Sequence, residues 1–183
     1  MTTLTGDRII LRQYRVSDAA HIYKWQRDET TTMWMGRRYR TPKSLEEITS
    51  RIRSLVKNPP SDAVLYAIAD KITNCYLGGI DITSIDWIDK NGVLSAVIAE
   101  KPNRNRGIAT VAITLLLNYA FRELQLHKIE LRVASGNKAA VACYTNVGFA
   151  VEGILKDHTI VDGNYCDITQ MGLLEANWNG NGG

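Results

Sequence analysis

Cysteine is scarce in this 183-residue chain: Cys75, Cys143 and Cys166 stand far apart and are odd in number. No CxxC pair and no Cys/His cluster has metal-ligand spacing. That excludes a zinc ribbon or a disulfide scaffold, and predicts reduced thiols, a cytoplasmic setting and no metal. Long hydrophobic runs are missing too. The longest, Ile108 to Ala120, is interrupted by Thr110, Thr114 and Asn118 and is too short to span a bilayer, and the first residues lack the apolar core of a signal peptide. Neither sign of charge is in excess. With 22 Lys and Arg against 19 Asp and Glu the net charge is +3, so no global field calls for nucleic acid or a membrane as partner. The distribution is uneven, however: residues 1–60 hold twelve basic against six acidic side chains, and residues 61–100 two against six.

Only four prolines occur, and they punctuate the chain. Pro102 opens a bend, Pro59 and Pro60 close a helix, and Pro42 stands at the first position of a helix capped by Thr41, with Glu46 and Glu47 in its first turn. Hydrophobic period and turn residues predict about seven strands, at 7–15, 63–70, 75–85, 93–100, 127–135, 149–160 and 165–174. About four helices are predicted, over 17–29 with Ser17 as cap, 41–57, 106–124 and 137–147. Residues 30–40 have no clear period and read as a loop. No repeat, linker or low-complexity block appears, so the pattern is one α+β domain over 1–183 with a flexible tail from about 176.

Two stretches carry chemistry. "RNRGIA" (104–109) places a glycine and two arginines where a nearly uncharged helix begins. Unpaired N–H groups at such an end favour an anion by about 0.3–1 kcal/mol per charge, and a glycine lets a phosphate approach the backbone. Solvated arginines before a core helix are the plainer reading of the same residues. About thirty residues on, "NKAAVACYTNVGF" (137–149) sets Asn137 and Tyr144 seven positions apart. They therefore share one helix face about 10 Å apart. On spacing alone Asn137 is a helix cap and Tyr144 a buried aromatic.

Together these stretches resemble the signatures of the GNAT superfamily of acetyl-coenzyme A-dependent N-acetyltransferases. Arg104, Gly107 and Ala109 match its pyrophosphate loop, and Asn137, Ala140, Tyr144, Gly148 and Phe149 match its second motif. The closing "EGILKDHTIVDGNYCDITQMGLL" is similar to the branch that includes the ribosomal-protein N-acetyltransferases and related amine and aminosugar acetyltransferases. The resemblance covers essentially the whole chain and implies a GNAT fold with a mixed, mostly antiparallel sheet, acetyl-coenzyme A as co-substrate and a homodimer. It implies coenzyme A contacts from the loop backbone of Asn105, Arg106, Gly107, Ile108 and Ala109, from the Arg104 or Arg106 side chain, and from Asn137. The strand before the bend would splay from its neighbour and pair Val97, Ile98 and Ala99 with the pantetheine amides. Tyr144 would protonate the leaving thiolate.

Two proton problems bear on that role. A phenol with pKa ~10 is a weaker acid than a thiol near ~8.5, so full transfer is uphill by about 2 kcal/mol. An alkylamine of pKa ~10.4 costs roughly 4–5 kcal/mol to deprotonate at neutral pH. Many relatives carry a Glu before the loop, where this chain has Leu94. Asp81 is the substitute candidate for the base; a turn-facing or solvated aspartate is the alternative reading. A covalent route through Cys143, activated by His21, His127 or His158, is a second mechanism, although Cys143 falls between apolar helix positions.

For the acceptor, the sequence offers Trp34 and Tyr39 as a stacking pair with Asp81 for the amine. Arg37, Arg38 and Arg40 oppose a polyamine unless the acidic 81–89 stretch offsets them. A small aminosugar or amino-bearing antibiotic ranks first, then a protein N-terminus such as that of a ribosomal protein, then a polyamine. A non-catalytic acyl-coenzyme A sensor is the reading outside enzymes.

Overall fold

The computed structural model describes residues 2–36, 39, 41 and 43–180. They form one eight-stranded sheet in the order β1-β2-β3-β4-β5-β6-β8-β7. The strands are β1 (Leu4–Thr5), β2 (Ile9–Arg12), β3 (Val64–Asp70), β4 (Tyr76–Asp86), β5 (Asn91–Ile98), β6 (Lys128–Ala134), β7 (Ala150–Val161) and β8 (Asn164–Leu174). Every pairing is antiparallel except β5 with β6. The sequence pattern contains seven of these strands; the eighth is the two-residue β1, too short to show alternation.

Period-two alternation sorts the strands between two helical layers. Tyr66 and Ile68 of β3, with Ile80, Ile82 and Leu94, pack against Ile113, Leu116 and Leu117 of α4 (Ile108–Arg122). Ala67, Tyr76 and Ala99 face the other way, toward Ile22 and Trp25 of α1 (Ala19–Trp25) and Ile48 and Ile52 of α3 (Leu45–Lys57). α5 (Lys138–Val147) lies beside α4. No helix among the described residues is long and apolar enough to cross a membrane.

Three local expectations need correction. Ser17 does not cap a helix: it lies inside a 3-10 turn (Val16–Asp18) that Asp18 closes by accepting the Arg15 N–H at 2.8 Å while holding the Arg12 guanidinium at 2.8 and 2.9 Å, both side chains buried. The expected 17–29 helix also divides, because the Asp28 carboxylate accepts the Thr30 N–H and starts α2 (Glu29–Thr32) as a separate turn. Thr41 is not the cap of α3. Ser44 is, with Glu47 N–H donating to Ser44 Oγ at 3.1 Å and Ser44 N–H to Glu47 Oε2 at 2.7 Å. This reciprocal pair satisfies two helix-end donors and so fixes the start at Leu45; Pro42 lies outside the described residues. The tail is tied down as far as Trp178, whose ring packs on Phe121 and whose Nε1 donates to Asn118 at 3.0 Å.

Two irregularities in the sheet prepare the site. β4 slips register against β3, with Ile68 opposite Gly78 but Ala69 opposite Tyr76, so Leu77 is bulged. A Cβ on Gly78 would lie 2.1 Å from the Val97 carbonyl oxygen, so glycine is required there. β5 pairs with β6 only at Asn91–Val93. Beyond Val93 the two strands part, opening a gap in the middle of the sheet.

Candidate active site

One mouth of the gap is built by the turn between β5 and α4. Gly107 caps α4 with φ +75°, a left-handed conformation that strains most residues with a side chain, and Asn105 at φ +56° is of a type that tolerates it. The first N–H to bond back within the helix is that of Val111, to the Gly107 carbonyl at 3.0 Å. The N–H groups of Ile108, Ala109 and Thr110 therefore point out of the helix end. Apart from the adjoining residues and the α4 backbone, the nearest described atom to a Cβ placed on Gly107 would be Arg8 Nη2, 3.9 Å away, so the space beside the turn is open. A left-handed glycine, free donors and a helix dipole fit a pyrophosphate.

Arg104 does not face that mouth. Its Nε donates to the Ile98 carbonyl and its Nη2 to the Ala99 carbonyl, each at 3.3 Å. Nη2 also bonds the Thr31 hydroxyl and stands 3.7 Å from Asp28. The expected phosphate contact from its side chain is replaced by a strut joining the end of β5 to α2.

The gap itself is lined by β5 backbone. Ala99 donates its N–H to Leu77 at 2.9 Å, and the Val97 carbonyl is turned toward Gly78, so both residues pair with β4. Antiparallel alternation then directs the Ala96 backbone groups and the Ile98 N–H into the gap. Of the three residues expected to supply amides, Val97 and Ala99 are thus engaged in the sheet, and Ala96 joins Ile98.

On the α4 side of the sheet stands Tyr144, its ring edge-on to Phe149 at 5.9 Å between centroids. The side chain is half-buried. Desolvation by burial, then Cys143 and Asp81, pushes the phenol pKa well up. Asn137 caps α5, its Oδ1 accepting the Ala140 N–H at 3.2 Å, as its residue type alone suggests.

On the opposite side, between the sheet and α1 and α3, lies a cleft of about 330 Å³. Asp81 lines it from β4 and accepts a hydrogen bond from Ser95 Oγ of β5 at 2.8 Å. Trp25, Tyr14, Tyr39 and Tyr76 form its aromatic walls, with Asp62, Lys43 and Arg51 along it. Burial, then Tyr76 and Asp81, raise the Tyr14 phenol well above its ordinary value. The same cleft is lined by Ser95 and Ala96 of β5, and the Ala96 backbone also borders the gap, so the two spaces meet on the β4–β5 pair beside Asp81.

These features agree with what sequence comparison finds. Residues 8–150 match the family described as Acetyltransferase (GNAT) domain. The chain belongs to the GNAT acetyltransferase family. It is 26% identical over 174 residues to a spermidine N(1)-acetyltransferase of Vibrio cholerae, covering 94% of this chain and 96% of that one. A putative ribosomal N-acetyltransferase of Bacillus subtilis, YdaF, is 32% identical over 103 residues, 56% of each chain. Among solved structures, spermidine N-acetyltransferase from Vibrio cholerae in complex with CoA and spermine superposes with a TM-score of 0.82 at 23% identity, covering 94% and 98%; this likeness is one of fold. A dodecameric form of that enzyme gives 0.77 at 24%, covering 93% and 96%. The protein is an acetyl-coenzyme A-dependent N-acetyltransferase.

Within this GNAT chain, two expectations about the site change. Trp34 and Tyr39 do not form one stacking pair. The Trp34 ring packs on the β6–α5 turn, 3.2 Å from where a Gly136 Cβ would lie, whereas Tyr39 tilts against Trp25 at 5.5 Å. Arg37, Arg38 and Arg40 lie outside the described residues. The acidic 81–89 stretch does not act as a unit either: Asp86 accepts the N–H groups of Ile88 and Asp89 and closes the hairpin. Leu94, 2% exposed, is core on the α4 side. Cys143 Sγ meets the Thr110 hydroxyl at 3.5 Å, while the His21 ring packs near Tyr76 and His158 sits exposed on β7. Among the described residues no three His, Cys, Asp or Glu side chains cluster as a metal site. Sequence reasoning missed Tyr14, Trp25 and Tyr76, because each occupies an apolar position of an ordinary strand or helix pattern.

Proposed function

We propose that this GNAT enzyme acetylates a small primary amine held in the α1/α3 cleft, by direct attack on a thioester lying in the β5–β6 gap. The observation that carries the proposal is the meeting of the two spaces beside Asp81, with Tyr144 on the far side. Acetyl-coenzyme A supplies the activated acyl group. The α4 N-terminus and the Gly107 turn bind its pyrophosphate, Ile98 and Ala96 pair with its pantetheine arm, and Asn137 adds a contact at the start of α5.

Asp81 orients the ammonium and takes its proton, directly or through water, in place of the Glu that Leu94 replaces. The raised pKa of Tyr144 widens the gap to a thiol near ~8.5 beyond about 2 kcal/mol. Tyr144 therefore acts as a hydrogen-bond donor to the departing sulfur, shifting its proton only as the C–S bond breaks.

The acceptor we favour is a hydroxylated amine of aminosugar type. The half-buried Tyr39 ring suits a sugar face, phenol groups suit hydroxyls, and one nearby carboxylate suits one ammonium. A polyamine is the second reading. It is favoured by the relative named for spermidine that matches over nearly its whole length and by Asp62 as a second carboxylate on the cleft. A protein N-terminus, as in the ribosomal-protein branch, ranks third. Turnover with a thiol reagent across aminosugars, spermidine and an N-terminal peptide tests the ranking. A higher kcat/KM for spermidine than for every aminosugar establishes the second reading, and no turnover with any amine favours an acyl-coenzyme A sensor.

We further propose a cytoplasmic homodimer. Val151, Ile154, Ile160 and Tyr165 leave apolar surface on the β7–β8 edge for a second copy, and light scattering at micromolar concentration measures the mass directly.

A further inference from the structure

The geometry points to Arg8, at the start of β2, as the side chain that binds the pyrophosphate of acetyl-coenzyme A. Arg8 lies nearly a hundred residues before the loop in sequence and belongs to no motif of the site. Its Nη2 nevertheless donates to the Arg106 carbonyl at 3.1 Å and stands 3.9 Å from where a Gly107 Cβ would lie, the nearest described atom outside the turn and α4 itself. The guanidinium is exposed there, and one tether leaves the rest of its five-donor fork directed outward. Of the two loop cations expected there, Arg104 is turned away to Ile98, Ala99 and Thr31, while Arg106 is exposed and lends its backbone carbonyl to Arg8. An anion approaching the Ile108–Thr110 N–H groups passes Arg8, not Arg104. A planar guanidinium pairs well with phosphate oxygens, so Arg8 completes a cradle that backbone donors alone leave open on one side.

The inference rests on the cofactor reading of the Gly107 turn, and the test separates the two. Calorimetry measures binding of acetyl-coenzyme A, its dephospho form lacking the 3′-phosphate, and S-acetylpantetheine lacking all phosphates. Arg8→Ala is expected to weaken acetyl-coenzyme A and the dephospho form equally, about 10- to 100-fold. S-acetylpantetheine should bind variant and wild type alike. Arg8→Gln keeps a donor for the Arg106 carbonyl and removes the charge, and should show most of the same loss. Equal weakening of all three ligands makes Arg8 a structural tether and overturns the proposal, as does full affinity in Arg8→Gln. A penalty confined to acetyl-coenzyme A moves the contact to the 3′-phosphate and overturns the pyrophosphate assignment. Should wild type bind S-acetylpantetheine as tightly as acetyl-coenzyme A, the cofactor reading of the turn fails, and Arg8 with it.

Discussion

The Arg104 guanidinium hydrogen-bonds the Thr31 hydroxyl across 73 residues of sequence, and so ties the cofactor loop to the helix leading into the acceptor wall. Asp28 holds the same helix by its N-terminus and stands beside the same guanidinium. In the proposed arrangement Arg104 thus stands between the two substrate sites rather than on either. Arg104→Gln should raise the KM for the amine several-fold while leaving the Kd of acetyl-coenzyme A within about twofold. Steady-state kinetics and calorimetry on one preparation give both numbers. The opposite split would return Arg104 to the phosphate.

Gly107 allows strain and obstruction to be separated. Its φ of +75° disfavours Val or Ala by about 1–2 kcal/mol, whereas Asn enters that region readily. The open space over the turn gives an Asn side chain no protein clash. Gly107→Asn should therefore melt within a few degrees of wild type yet bind acetyl-coenzyme A at least tenfold more weakly. Unchanged affinity in that folded variant removes the anion from the α4 terminus.

The Arg12–Asp18 pair is a matter of stability, not chemistry. Both partners are buried, and Asp18 also takes the Arg15 N–H. Asp18→Asn leaves a buried guanidinium without its counter-charge, at a cost of about 3–5 kcal/mol. For a chain of this size that corresponds to a fall in Tm on the order of 10 °C. Differential scanning calorimetry reads it, and a shift below about 2 °C would show that water or Asn74 replaces the carboxylate.

Asp81 carries a pH signature. If it orients and deprotonates the ammonium, Asp81→Asn should lower kcat/KM most near pH 7, where an amine of pKa ~10.4 is almost wholly protonated, and least near pH 10. A loss of the same size at both pH values would make Asp81 a binding group only.

Much of the fold was legible because its signals are local and strong. The alternation of β3, β4 and β8, the apolar stripe of α4 and the Asn137 cap depend on neighbours in sequence. The caps at Ser17 and Thr41 misled because side chains from elsewhere decide: Arg12 draws Asp18 inward, and Glu47 completes the box with Ser44. Gly107 and Tyr144 sit on the loop and helix positions that the two motif stretches predict, because local sequence determines them. The acceptor end was not legible in the same way. Trp34 and Tyr39 are five residues apart yet pack on different partners, and the cleft takes Tyr14 from the loop after β2, Trp25 from α1 and Tyr76 from β4, which meet only in the folded chain. Arg8 was hidden for the same reason.

Direct transfer assisted by Tyr144 is the centre of the account, and the Tyr144→Phe variant tests it most directly. Burial, Cys143 and Asp81 hold the phenol pKa up, so the group stays protonated across the working range and wild-type kcat should show no decline from tyrosinate up to pH 10. Removing the hydroxyl while keeping the ring should lower kcat about 10²–10⁴-fold, with the Kd of acetyl-coenzyme A nearly unchanged and Cys143→Ala close to wild type. Full turnover in Tyr144→Phe, or its loss in Cys143→Ala with an acetylated cysteine trapped by mass spectrometry, would contradict the account.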